Sequence, residues 1–313
     1  MRDVELFAET LMANQSQVGY QPMTTESLER GASSEAIQHH YDVDTSFYRL
    51  WLDPTMTYSC ALWESQEHDD LESAQLRKLD YLLSACLPRT GGRLLDIGCG
   101  WGSAMTRALT THDASSAMGL TLSPSQANYV KSLGEQRIQV AVQDWADYAP
   151  TEPVDGIISI GALEHFVKFG WKREDKIAAY RRFFESCHQW LAPGGALSLQ
   201  TIGKGNSPLD QQGAEDMLFI AQHIFPESDL PKLSELARAC ERYFEIQRIR
   251  NDRNDYARTC TAWLQRLHEN REQAIALVGQ ERCDQFERYL AASVRQFEHG
   301  HANLYRLTLN RVG

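Results

Sequence analysis

The run Leu94-Leu95-Asp96-Ile97-Gly98-Cys99-Gly100-Trp101-Gly102 carries the clearest chemical signal in the chain. An apolar stretch holding one acid breaks into three glycines at alternate positions, and a helix-like stretch, Ala104 to Leu109, follows. Glycine adopts positive φ and lets backbone approach a ligand with no Cβ in the way. The spacing is not the G-x-G-x-x-G of a dinucleotide loop, and no Lys-Ser/Thr pair follows as in a phosphate-cradling loop. A ligand without phosphate, gripped by its amino-acid moiety, suits this loop better. That chemistry points to S-adenosylmethionine (SAM).

Such a loop needs a strand before it and a helix after it, the first βα unit of a doubly wound sheet. The spacing predicts strands over 93–97, 117–121, 137–142, 156–160 and 195–202, with Pro193-Gly194-Gly195 turning into the last. A sixth strand is expected from Tyr243 to Arg250. Tyr305, Leu307 and Leu309 alternate with polar residues as a final strand. Alternation of strand and helix marks an α/β fold with a mostly parallel sheet. In such sheets the strand ends hold ribose and base, so Thr121 and the Gln143-Asp144-Trp145 segment are candidate contacts. Asp144 is read as an acceptor for an adenine amino group.

Residues 1–90 read as a mainly helical cap, with Ser33-Ser34 capping a helix over Glu35 to Tyr41. Residues 91–313 read as the α/β domain. It carries an insertion at about 204–235, where Gly, Pro, Asn and Asp break the rhythm, expected to be a lid. Residues 257–298 read as two long amphipathic helices.

Composition narrows the function classes. The chain has 313 residues and a net charge of −11, which disfavours nucleic acid as a partner. No apolar run is long enough to cross a bilayer, and no metal-ligand spacing is present. Seven scattered cysteines without a C-x-x-C and an N-terminus lacking an apolar signal core fit a reducing cytoplasm. One basic stretch stands out: Lys168, Lys172, Arg173, Lys176, Arg181 and Arg182 against Glu174 and Asp175. It reads as a solvated helix face, with docking of an acidic carrier or headgroup as the rival. A homo-oligomer is left open.

Further segments carry a resemblance. They are His40-Tyr41-Asp42-Val43-Asp44, Phe47 to Pro54, Thr57-Tyr58-Ser59-Cys60-Ala61, Gly119-Leu120-Thr121-Leu122-Ser123 and Gln126-Ala127-Asn128. Ile160-Gly161-Ala162-Leu163-Glu164-His165-Phe166 and Ile224-Phe225-Pro226 complete the set. With these, the chain resembles the cyclopropane-fatty-acid and mycolic-acid cyclopropane synthase family over roughly 37–312. The resemblance implies a seven-stranded class I methyltransferase fold with SAM as cofactor. It implies Tyr58 and Ser59 near the cofactor, and Asp96, Gly98 and Gly100 around its methionine end. It places Thr121 and Gln126 at the ribose and Trp145 beside the adenine.

Family members transfer methyl to an isolated alkene, leaving a carbocation that must be shielded from water and then lose a proton. Members that close rings use a bound bicarbonate. Its shell corresponds here to Cys60, Ile160, Glu164 and Tyr256, with a fifth position at Gln200. Aromatic faces such as Phe166, Phe169 and Trp263 are expected to steady the cation. Ring-forming members carry His where this chain reads Leu199-Gln200-Thr201-Ile202. Glutamine donates a hydrogen bond but carries no proton, which puts bicarbonate and ring closure in question. The implied function is methylation of a lipid-like or isoprenoid-like alkene, free or carrier-bound. The rival is a tailoring methyltransferase of a small specialised metabolite.

Overall fold

Alternation along the strands decides which side chains meet. In the computed structural model, which describes residues 31–41, 43–64, 69–87 and 90–313, the first strand is β1 (Arg93–Ile97). It sends Leu94 into one apolar cluster and Leu95 and Ile97 into another, on opposite faces of the sheet. Around it lie β2 (Ser116–Thr121), β3 (Ile138–Val142), β4 (Val154–Ile160), β5 (Leu191–Lys204), β6 (Phe244–Asn251) and β7 (Ala302–Arg311). The sheet order is β3-β2-β1-β4-β5-β7-β6. Pairing is parallel from β3 to β5, and β7 runs antiparallel to both β5 and β6. The order reverses at β1/β4, the place where doubly wound sheets bind ligands. This seven-stranded mixed sheet with its covering helices is the class I methyltransferase fold.

Helices α1 (Ser34–Tyr41), α2 (Thr45–Trp51) and α3 (Leu71–Cys86) precede the sheet. Ser33 caps α1 through Ala36 N–H (3.2 Å), and Asp44 and Asp70 cap the next two. The expected helicity of residues 1–90 is only partial among the described residues, and 1–30 lie outside them. Between α2 and α3 the chain is a fixed loop. The buried Asp53 carboxylate accepts Thr55 N–H (2.9 Å) and Thr57 N–H (3.1 Å), and Met56 sits at φ 58°.

The intervening helices are α4 (Ser103–Thr111), α5 (Pro124–Ser132) and α6 (Arg173–Trp190). The insertion is more ordered than its composition suggested. It holds α7 (Gln211–His223) and the start of α8 (Leu233–Cys240), and Asp210 caps α7 through Gly213 N–H (2.7 Å). Residues 257–298 form three helices instead of two: α9 (Arg253–Glu269), α10 (Arg271–Val278) and α11 (Gln280–Glu298). The break before α11 falls at Gly279, whose φ of 82° ends a helix where most residues would be strained. Helices α2, α9 and α11 share an aromatic cluster of Phe47, Tyr48, Trp51, Trp263 and Phe286. Gly31–Gly313 forms one compact unit. No helix among the described residues is long and apolar enough to cross a membrane.

Candidate active site

Sheet register puts the candidate residues on one face. Ile160 pairs with Gln200, Gln200 with Arg306, and Arg306 with Arg250, a row across β4, β5, β7 and β6. Two residues earlier, Asp96 pairs with Ile158 and Ile158 with Ser198, so Asp96 shares that face. The row lies at the C-terminal ends of the parallel strands, beside the glycine loop.

At the loop, Gly98, Gly100 and Gly102 have φ of 82°, 53° and 84°. A Cβ on Gly98 would lie 2.6 Å from that of Ala162, whereas one on Gly100 would meet nothing within 4 Å. Gly98 therefore seats the loop against the Glu164 segment, and Gly100 faces open space. Burial pushes the Asp96 carboxyl up to about 7, opposed by the Lys78 cation. Beyond β2, Thr121 Oγ1 donates to Gln126 Oε1 (2.8 Å), and Ser123 caps α5 through Gln126 N–H (3.1 Å). The Gln126 amide is thus oriented with its N–H edge unused by Thr121. Asp144 accepts Ala146 N–H (2.9 Å) and starts a short turn carrying the half-buried Trp145.

On the other side of the loop, Glu164 is 5% exposed. Its Oε1 accepts Ile202 N–H (2.5 Å), and its Oε2 is buried with no partner. Burial pushes this carboxyl up to about 7, against the Ile202 N–H, its own backbone N–H and the Thr201 hydroxyl. Tyr256 stacks on Phe297 with ring centroids 4.4 Å apart, and burial, with Glu164 nearby, pushes its hydroxyl well above the usual phenol range. Cys60 is fully buried and its thiol is pushed up to about 12, so it is no nucleophile. Tyr58 and Trp263 lie with ring centroids 5.2 Å apart, and Tyr256 meets Trp263 edge-on at 6.1 Å. Packed aromatic rings thus lie close to the Glu164 carboxyl.

The sequence profile of mycolic acid cyclopropane synthetases matches residues 28–307. The chain belongs to that family. It is 36% identical over 292 residues to cyclopropane mycolic acid synthase 3 of Mycobacterium tuberculosis, covering 88% of this chain and 96% of the relative. The solved cyclopropane synthase MmaA2 of Mycobacterium tuberculosis superposes with a TM-score of 0.82 at 35% identity, over 90% of this chain and 99% of that one. Mycolic acid cyclopropane synthase CmaA1, solved with SAH and CTAB, gives 0.80 at 34%, over 90% and 99%. As a family member the protein is a SAM-dependent methyltransferase of the cyclopropane synthase type.

The site residues fit that cofactor. Gly100 leaves a space that a side chain would fill, and the buried Trp101 Nε1 beside it lacks a partner. Bicarbonate fits less well. Glu164 Oε2 and the Gln200 amide offer an acceptor and a donor, but Gln200 cannot take up or pass on a proton.

Two buried cations escaped the sequence reading of this synthase-like chain. Lys78 is fully buried on α3, donates to Ser59 Oγ (2.8 Å) and is pulled down to about 7, chiefly by burial and then by Arg306. Gln75, one turn earlier, donates to Ser59 C=O (2.8 Å). The signal was present: Gln75 and Lys78 sit on the stripe of Leu71, Ala74, Leu79 and Leu82. Arg306 lies between the apolar Tyr305 and Leu307 of an alternating strand, a pattern that by itself does not mark it as buried. Because β7 lies inside the sheet, both its faces are buried.

The basic stretch divides: Lys172, Arg173, Arg181 and Arg182 are exposed, as a solvated helix face requires, while Lys168, Arg173 and Lys176 also reach acids of the insertion. Lys168 pairs with Glu227 (3.2 Å), and Arg173 with Glu235 (3.8 Å). The buried Asp229 takes both Lys176 and Lys204. These acids belong to 204–235, so the charges hold the insertion beside the Glu164 turn, where His165 also meets Ser228 Oγ at 2.7 Å. Asp229→Asn should cost about 3 kcal/mol in chemical denaturation, because two cations lose their counter-charge. An unchanged midpoint would mean that the pairing contributes nothing net. Two of the expected cation-facing aromatics are elsewhere: Phe169 is 40% exposed, and Phe166 packs on Trp145 and Phe183.

Proposed function

We propose that this protein methylates an alkene carbon of a lipid-like or isoprenoid-like chain, and that Glu164 governs proton loss from the resulting cation. The observation that carries this reading is the buried, unpartnered Glu164 Oε2, whose carboxyl is pushed up to about 7. A group poised near neutrality serves as a proton acceptor better than an ordinary carboxylate. The relatives' names, cyclopropane mycolic acid synthases, support a long unsaturated acceptor.

SAM supplies an electrophilic methyl on sulfur. The protein's residues do the rest. The backbone at Gly98 and Gly100 grips the amino-acid end, with Asp96 below it. Thr121 and Gln126 take the ribose, and Asp144 and Trp145 the adenine. Tyr58 and Ser59 close over the cofactor from the loop after α2. Trp263, Tyr256 and Tyr58 exclude water and turn π faces toward positive charge. Cys60 and Ile160 wall the pocket, and Glu164 Oε2 receives the proton.

Gln200 sets the expected product. Without a histidine at this position, proton loss gives a methylated or methylene-bearing alkene in preference to a ring. Incubation with methyl-¹³C-labelled SAM and unsaturated phospholipid, acyl-carrier thioester and isoprenyl diphosphate acceptors tests this, read by proton NMR. Both outcomes add one CH₂, so mass alone does not separate them. Olefinic and allylic-methyl signals are expected; high-field cyclopropane signals would show that Gln200 does the histidine's work. No labelled product from any alkene would overturn the reading.

A further inference from the structure

Arg306 is 1% exposed, and all three guanidinium nitrogens are engaged. Nε donates to Gln200 Oε1 (2.8 Å), and one terminal nitrogen donates to Asp252. The other donates to the carbonyls of Cys60 (3.2 Å) and Ala61 (2.9 Å) and touches Cys60 Sγ at 3.5 Å. One rigid fork thus joins the loop bearing Tyr58 to Cys60, the end of β5 and the start of α9.

Guanidinium can only donate, so the Gln200 amide must turn its oxygen toward Arg306. Nothing else in the contact would distinguish oxygen from nitrogen. With the oxygen turned to Arg306, the Nε2 edge of this 1% exposed side chain points away from the guanidinium. Across the row from Arg306 stands Ile160, and the chain continues from there to Glu164.

We propose that Arg306 is a positioning residue: it fixes the Gln200 amide so that the N–H edge, and never the carbonyl, faces the reaction pocket on the Glu164 side. The pocket then presents a permanent donor opposite the free carboxyl oxygen. That donor steadies the carboxylate form of Glu164, or any oxyanion held beside it, without taking a proton. Asp252 makes this affordable, because it balances both Arg306 and the adjacent Arg250 (3.0 Å), which would otherwise stand as like charges in one row. The role in turnover rests on the proposed proton-removal step; the amide orientation does not.

The test therefore has two independent readouts. The first is the Gln200 side-chain amide in ¹H–¹⁵N NMR, assigned by its loss in Gln200→Ala. Arg306→Lys keeps a cation beside Asp252 but loses the fork, so this signal should shift and exchange faster. An unmoved signal would overturn the proposal whatever the enzyme methylates. The second is a double-mutant cycle in turnover. Gln200→Glu keeps the oxygen facing Arg306 and removes the donor. It and Arg306→Lys should each lower kcat about ten-fold or more, with the SAM Kd changed by less than about two-fold. If Arg306 acts through Gln200, Arg306→Lys should cost nothing further in a Gln200→Ala background. Additive losses would make Arg306 a purely structural residue and overturn the proposal. Should Arg306→Lys not fold, a Gln200→Glu protein turning over like wild type would do so alone.

Discussion

Replacing Glu164 with Gln should lower turnover by about 10²–10⁴-fold, the usual cost of losing a positioned base, while the SAM Kd stays within about two-fold. The carboxyl lies near Tyr256 and accepts Ile202 N–H of β5, whereas Asp96 and the glycine loop stand at the other end of the site. The fold should survive the change. A carboxyl raised to about 7 in the folded state, against 4.5 ordinarily, binds a proton more tightly folded than unfolded. It therefore costs stability as pH rises from 4.5 through 7, and full cost is reached above 7. A neutral amide escapes that cost, so Glu164→Gln should melt no lower than wild type at pH 8. In the wild type, kcat/KM should rise with pH through about 7, because the base acts when deprotonated. Loss of SAM binding along with turnover would place Glu164 in the cofactor site, and full activity in Glu164→Gln would remove it from the mechanism.

Gly100→Val should abolish measurable SAM binding, weakening it by about 100-fold or more, roughly 2.7 kcal/mol. Gly100 lies at φ 53°, and no protein atom lies within 4 Å of where its Cβ would be. A branched side chain there is strained in the backbone, at about 1–2 kcal/mol, and projects into the space meant for ligand. Protein contacts are spared, so the variant should fold. Gly98 makes a poorer test: its Cβ would strike Ala162 and disturb the Glu164 turn as well. Calorimetry with SAM decides the matter. Wild-type affinity in a folded Gly100→Val protein would mean that the cofactor does not lie along this loop.

Much of the fold was legible because its signals are local. Five parallel strands announce themselves as short apolar runs ending in turn residues, and β1 was located to the residue. The glycine loop needs only backbone chemistry to interpret. The start of the insertion was visible as a loss of rhythm, but α7 was not. Its apolar residues, Met217, Leu218, Phe219 and Ile220, sit among Gln, Asp and Glu, and Asp210 was counted as a loop former when it is the helix cap.

The sequence by itself determined the strand–loop–helix unit, the sheet class, the cofactor and the segments that supply the site. These depend on spacing and on residue types close together along the chain. Only the tertiary structure decided what the charges do. Nothing local marks Lys78 and Arg306 as buried; only the covering of α3 and β7 does, and only the fold brings Lys168, Arg173 and Lys176 to Glu227, Glu235 and Asp229. Whether a charge stabilises, positions or docks depends on the dielectric around it and on which counter-charge is within a few ångströms. Those partners stand far away in sequence: 106 positions separate Gln200 from Arg306, and 246 separate Cys60 from it. No local pattern encodes such a distance; the register of β5 against β7 does.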